Sequence, residues 1–229
     1  MNCLESFDFR KLSKTKDDLF RLVLGENREI PERMPKVSDF DTLEYDTISF
    51  NSYMSFVCRS KYISECGFVF LSWNWITPFI QWINGRKCLE IMSGTGALSS
   101  VLRSEGVDII ATDNFSWKDK LTSQWMYIED LDSIAAIDIY GKSVDIVIMS
   151  WAPYGSDLGY ECLKRLYEVN PKAVMVVIGE DCYGCTASGK FFDYIEVIED
   201  DYFDSQVMRN YETWYSIHDF PMIVRYKTL

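Results

Sequence analysis

Histidine is almost missing from this chain: His218 is the single copy in 229 residues. With one imidazole, and one C-x-x-C pair (Cys182 and Cys185) among seven cysteines, a structural zinc site lacks its ligand set. An odd number of cysteines in a chain of this length also argues against a secreted disulfide framework. The C-x-x-C pair follows a late strand, outside the setting that a thioredoxin-like dithiol requires. Long apolar runs are absent as well, none approaching the ~20 residues that span a bilayer. The opening segment MNCLESFDFRKLSK has no apolar core of a secretory leader. A soluble, cytoplasmic protein with no membrane partner is therefore expected. Cations are scarce, 23 Lys and Arg against 35 Asp and Glu, for a net charge of −12. That balance disfavours an enzyme that tracks a duplex, because nucleic-acid affinity comes largely from cations set against phosphates. The one basic cluster, Arg10, Lys11, Lys14, Lys16 and Arg21, is interrupted by Asp8, Asp17 and Asp18 and reads as a solvated helix face. The acidic stretch Glu196 to Asp204 reads the same way. Neither an internal repeat nor a low-complexity linker is present.

What remains suits one domain with a full core: 48% of residues are apolar and 25% charged. Its most informative stretch runs from Lys87 to Phe115, KCLEIMSGTGALSSVLRSEGVDIIATDNF. Cys88, Leu89 and Ile91 make a short apolar strand, as expected when helices cover both sheet faces. Gly94 and Gly96 permit a sharp turn and leave backbone N–H groups clear for a ligand. Ala97, Leu98, Val101 and Leu102 then carry helical spacing. Gly106 ends that helix, Val107 to Ala111 returns as a second strand, and Asp113 stands at its tip, with Asn114 beside it. Such a unit holds an adenosine-containing cofactor across the carboxyl edge of a parallel sheet, the terminal acid accepting ribose hydroxyls. A dinucleotide fingerprint would place glycine where Ser99 stands, and an apolar residue where Glu90 stands.

The segment resembles motif I of class I S-adenosylmethionine-dependent methyltransferases, a hydrophobic–acid–hydrophobic strand followed by a run of spaced glycines. Met92 takes the place of the first glycine. The resemblance extends over about residues 85–229, and the stretches VVIGEDCYGCTASGKFF and WYSIHDF are similar to those of a poorly characterised branch of that family. It implies S-adenosyl-L-methionine as cofactor, with Glu90 meeting its amino group. The cofactor-binding set it implies comprises Glu90, Met92, Gly94, Gly96, Asp113 and Asn114, together with Asp130 near the adenine and Ser150.

The rest of the chain continues the alternation of an α/β protein. A helix and a short third strand are expected within Trp117 to Tyr127, the strand ending near Glu129 and Asp130, with a fourth strand at Val144 to Met149, a fifth at Ala173 to Ile178, a sixth at Tyr194 to Ile198 and a seventh at Met222 to Tyr226. Helices are expected at Lys14 to Leu24, Thr77 to Ile83, Asp130 to Ile137 and Leu158 to Val169. The fold class expected is a Rossmann-like, seven-stranded, mostly parallel sheet between helix layers, with the last strand antiparallel as the resemblance implies. Residues 1–84 would form a helical or irregular extension capping the domain at 85–229.

Ligands in such sheets bind beyond the carboxyl ends of the strands. There the fourth strand ends in Ser150-Trp151-Ala152-Pro153-Tyr154-Gly155. This is similar to the Asn/Asp-Pro-Pro-Tyr signature of methyltransferases that modify amide or exocyclic amino nitrogens. Trp151 occupies the place of the polar acceptor and Ala152 that of the first proline, which speaks against those acceptors. Trp151 and Tyr154 are instead candidates for an aromatic wall beside a sulfonium methyl. Glu180 after the fifth strand and His218 before the antiparallel seventh fall at the same edge, where either could position an acceptor or take its proton. The expected function is methyl transfer to a small molecule or a protein side chain. Its alternatives are a nucleic-acid methyltransferase and a catalytically inactive S-adenosylmethionine-binding sensor or partner protein. The acceptor and the oligomeric state are not legible.

Overall fold

A computed structural model describes residues 16–39, 47–116 and 123–228. Its seven strands are β1 (Cys88–Ile91), β2 (Ile109–Asp113), β3 (Glu129–Asp130), β4 (Ile146–Ser150), β5 (Val174–Gly179), β6 (Ile195–Val197) and β7 (Phe220–Tyr226). They form one sheet in the order β3-β2-β1-β4-β5-β7-β6. Only β7 runs against its neighbours: β1 pairs in parallel with β2 and β4, β2 with β3, and β4 with β5, while β5 and β6 both pair antiparallel with β7. The expected fold class is the observed one.

The strands are apolar on both sides because both sides are covered. Ile146, Ile148, Val174, Val176 and Ile178 face one apolar layer, while Val147, Met149, Met175 and Val177 face the other. Two side chains per pleat, pointing opposite ways, give these central strands their continuous hydrophobic runs. The second layer is closed by α6 (Ser133–Tyr140), α7 (Leu158–Val169) and α8 (Gly189–Asp193). The first is closed by α5 (Ala97–Ser104), by α4 (Trp73–Ile83) and by the N-terminal segments α1 (Lys16–Val23), α2 (Thr47–Tyr53) and α3 (Arg59–Glu65). A π-helical turn, Met54–Cys58, joins α2 to α3, and a second one covers Phe203–Met208. Phe20, Val23, Tyr62 and Phe70 lie in the same apolar layer as the sheet residues. Tyr62, Phe70 and Trp214 meet there at centroid distances of 5.3 to 5.6 Å, two of the three pairs edge-on; each pair contributes about 0.5–1.5 kcal/mol beyond its buried area. Among the described residues no helix is long and apolar enough to cross a membrane.

Several boundaries differ from expectation for local reasons. α4 begins at Trp73 rather than Thr77, so that Pro78 lies inside it; Trp75, Ile76, Phe79, Trp82 and Ile83 are buried at helical spacing, and that packing outweighs the proline's preference for a first turn. α6 starts at Ser133, not Asp130, because Asp132 caps it by accepting hydrogen bonds from the N–H groups of Ile134 and Ala135, both at 3.0 Å. The third strand is the two residues Glu129 and Asp130 only, and residues 117–122 of the span expected to contain it lie outside the described ones. Residues 14 and 15 of the expected first helix also lie outside them, as do all the basic residues of that cluster before Lys16.

Gly96 shows how tightly the β1–α5 turn fits. Its φ is +71°, and a Cβ there would stand 3.0 Å from two carbons of Ile128 and 3.2 Å from Met126. Gly96→Ala therefore combines left-handed strain with overpacking, and should cost about 2 kcal/mol. Thermal denaturation should show a midpoint lowered by roughly 4–8 °C; an unchanged midpoint would mean that the turn is looser than this.

Candidate functional site

The turn after β1 is held open by hydrogen bonds rather than filled by side chains. Met92, Gly94 and Gly96 all have left-handed φ values, +54°, +58° and +71°. At Gly94 a Cβ would meet nothing within 4 Å, so the turn borders empty space where a ligand can approach the backbone. Asp113, ending β2, ties the turn down: its carboxylate accepts from Gly94 N at 2.8 Å and from Phe115 N at 2.6 Å. The turn is also tied to the N-terminal part of the chain, where Thr95 Oγ1 donates to the carbonyl of Cys66 at 2.5 Å.

Glu90 lies within β1 with 2% of its surface exposed. Burial raises its acid to about 7, helped by the charge of Asp113 and opposed by hydrogen bonding from Ser99. Ser99 Oγ donates to Glu90 Oε2 at 2.5 Å from the first turns of α5. Ser99, which separates this chain from a dinucleotide fingerprint, is thus the partner that a buried carboxylate needs. Two more hydroxyls, Ser93 Oγ and Ser150 Oγ, are buried without a hydrogen-bond partner among the described residues, and both residues border the same space as Glu90.

That space is a cavity of about 440 Å³ beyond the carboxyl ends of β1, β2 and β4. Of the cofactor candidates, Glu90, Met92, Gly94, Asp113, Asn114 and Ser150 lie on its wall. Gly96 stands behind the wall in the turn, and Asp130 is exposed on β3 beside Asp113 in register. Leu131 takes the adjoining place on the wall, its N–H donating to the Asp113 carbonyl at 3.1 Å. The opposite wall comes from residues before β1: Ile63 of α3, then Cys66 to Val69 and Leu71.

Trp151 and Tyr154 line the cavity from the loop after β4. Trp151 has φ +51° and is fixed on three sides. Its N–H donates to the Ile178 carbonyl at 2.7 Å, its indole N–H donates to Asp219 at 3.0 Å, and its ring stacks on Phe68 at 5.0 Å. Asp219 also accepts from Tyr211 Oη at 2.9 Å and from the Thr213 hydroxyl. Tyr154 is 74% exposed, a ring at the mouth rather than in the wall. Glu180 and His218 do come together, but behind the cavity rather than on it. Glu180 spends one oxygen on Cys185 N at 2.7 Å and the other on His218 N at 3.1 Å; the bond is to the histidine backbone, and the residue itself is exposed. The Glu180 carboxylate thus joins the loop after β5 to the loop before β7. Sequence reasoning missed Ser99, Asp219 and the 63–71 wall. Ser99 sits at helical spacing from the turn and was legible in principle; the other two depend on pairings far apart in the chain.

The stability effect of Glu90 has a definite sign. An unfolded glutamic acid ionises near 4.5, the native one near 7. Below 4.5 both states are protonated and nothing is lost. Between 4.5 and 7 only the native state keeps the proton, so rising pH favours unfolding, by roughly 3 kcal/mol in all. Glu90→Gln removes this slope. In urea titrations the variant should match the wild type near pH 4.5 and exceed it by roughly 3 kcal/mol at pH 8; a difference that does not change with pH would contradict the assignment.

No protein-family description and no curated protein matches the chain. Solved structures of similar architecture include the CcbJ methyltransferase from Streptomyces caelestis, 12% identical over 68% of this chain and 90% of its own, with a TM-score of 0.45. Magnesium protoporphyrin IX methyltransferase (ChlM) from Synechocystis, with S-adenosylmethionine bound, is 11% identical over 82% of this chain and 100% of its own, with a TM-score of 0.42. A mutant of MtNAS in complex with S-adenosylmethionine is 10% identical over 98% of this chain and 94% of its own, with a TM-score of 0.43. In strand order and strand direction the sheet of this chain is Rossmann-like, with β7 alone reversed.

Proposed function

We propose that the chain is an S-adenosylmethionine-dependent methyltransferase acting on a small molecule or a protein side chain. The observation that carries this reading is the meeting of Glu90, the open Gly94 turn and Asp113 in one cavity, with Trp151 and Tyr154 across from them. At about 440 Å³ the cavity is within the ordinary range of about 300–1,000 Å³ for small-molecule and cofactor sites. Its donors and acceptors fit the cofactor's polar groups. Each Asp113 oxygen, although already holding one backbone N–H, keeps a lone pair for a ribose hydroxyl. Glu90 offers the buried carboxylate that an ammonium would ionise. The hydroxyls of Ser93 and Ser150, without partners in the fold, are the donors left for a carboxylate.

When bound, the cofactor supplies a methyl group activated by a sulfonium. The protein's part is then to exclude water and to orient the nucleophile in line. Trp151 presents a ring face held rigid by Asp219 and Phe68, suited to stabilise positive charge beside it. Glu180 and His218 act in this reading through position, by joining the two loops behind Trp151. A second reading, cofactor binding without turnover, is favoured by Trp151 and Ala152 standing where an amino-group methyltransferase carries its acceptor signature.

Calorimetric titration tests the assignment. S-adenosylmethionine and S-adenosylhomocysteine should bind at micromolar Kd, with NAD as the non-binding control. Asp113→Ala should weaken both by roughly tenfold to a hundredfold, the loss expected for charge-assisted hydrogen bonds to two hydroxyls, and Asp113→Asn by less. Binding of NAD alone, or of none of the three, would overturn the proposal. Binding without transfer of a labelled methyl group to any acceptor pool would favour the second reading.

A further inference from the structure

Among the described residues Arg59 is a cation with aromatic neighbours but no ion-pair partner. It opens α3, and Ile63, one turn later on the same helix face, lines the cavity. Its guanidinium carbon lies 5.4 Å from the ring centre of Trp151 and 6.0 Å from that of Phe68, the stacked pair on the cavity wall. Among the described residues no carboxylate stands within ion-pair distance of it, and its Nε is buried without a hydrogen-bond partner. The two nearby acids are committed elsewhere. Asp219 accepts from Trp151, Tyr211 and Thr213, and Glu180 from Cys185 N and His218 N. They stabilise the charge of Arg59 through space, against a desolvation that lowers its pKa, and leave its N–H edge free. Stacking occupies the face of a guanidinium, while its donors point outward in the plane, in a fork that fits a carboxylate.

We infer that Arg59 selects the methyl acceptor, and that the acceptor is a small aromatic carboxylic acid whose ring packs along Trp151 and Phe68 and whose carboxylate meets the guanidinium edge. This rests on the methyl-transfer reading. A monoanion is the matched charge. One cation already balanced in part by Asp219 and Glu180 satisfies a carboxylate, whereas a phosphate dianion would need more positive charge than this wall has. A neutral ligand could accept from the same donors only without the charge assistance that makes a guanidinium–carboxylate pair strong.

The test is calorimetry with 2-aminobenzoate and its neutral counterpart 2-aminobenzamide, on protein with and without saturating S-adenosylhomocysteine. Wild type should bind the acid about tenfold more tightly than the amide. Arg59→Met, which keeps the alkyl stack, should bring the acid down to the level of the amide and leave amide binding within about twofold; Arg59→Lys should keep part of the preference. Equal binding of acid and amide, binding of neither, or a preference that persists in Arg59→Met would overturn the inference. So would tighter binding of phenyl phosphate than of 2-aminobenzoate. A tenfold loss of S-adenosylhomocysteine affinity in Arg59→Met would overturn it too, by placing the guanidinium on the cofactor's own carboxylate. An acid preference in a protein that binds no sulfur nucleotide would keep Arg59's role as an anion reader and sink methyl transfer, so the two failures are distinguishable.

Discussion

A carboxylate inside the first strand is the constraint on which the rest of the site depends. Glu90 sits between two apolar layers, where an isolated charge is costly. It is tolerated because Ser99 reaches it from α5 and because the strand ends in a cavity rather than in packed side chains. Ser99 can reach only if α5 starts immediately after the turn, and the turn can be that short only with left-handed residues in it. Asp113 then closes the arrangement from β2 by holding Gly94 N. Strand, turn, helix and second strand are therefore one unit, in which Ser99 and Asp113 act in opposite directions on the protonation of Glu90.

Strain collects around the same space. Met92 and Trp151 are non-glycine residues at positive φ, and both line the cavity. Each such conformation costs of order 1–3 kcal/mol and persists only when its surroundings impose it. For Trp151 the surroundings are visible: a backbone bond to β5, a side-chain bond to Asp219 and the Phe68 stack. The indole is aimed by three contacts from three parts of the chain, which is more than packing alone would require of a core tryptophan.

Local signals make much of this legible in the sequence. The strands and the Glu90–Gly94–Asp113 register follow from hydrophobic runs and spacing, because a parallel sheet buried on both faces leaves that pattern in each strand, whereas the antiparallel last strand comes from the family resemblance alone. The start of α4 did not follow from them, since the packing of Trp75 on Tyr211, and of Phe79 and Trp82 on Phe203, is a tertiary effect. Nor did the cavity's second wall: Ile63, Phe68 and Leu71 carry no motif, and their place depends on residues before β1 folding back over the sheet edge. Glu180 and His218 were brought to the right edge by strand direction. Which way a carboxylate turns at that edge is decided by the nearest free N–H groups, and those of Cys185 and His218 lie in loops.

Net charge and local charge then have to be reconciled. A protein at −12 repels anions at long range, yet beyond about 10 Å that repulsion is screened at physiological salt. Inside the cavity only nearby groups count, and they are divided. The β1 and β2 side carries Glu90 and Asp113, both carboxylates, and suits a ligand with ammonium, sulfonium or hydroxyl groups. On the α3 side Arg59 stands beside the Trp151 and Phe68 rings, next to the cavity wall rather than on it. The acidic lining suits a cationic donor, and Arg59 beside the aromatic wall is the group an anionic acceptor would meet in the reading inferred above. Such a division is what a transfer between a cationic donor and an anionic acceptor requires, and the overall acidity of the chain neither adds to it nor prevents it.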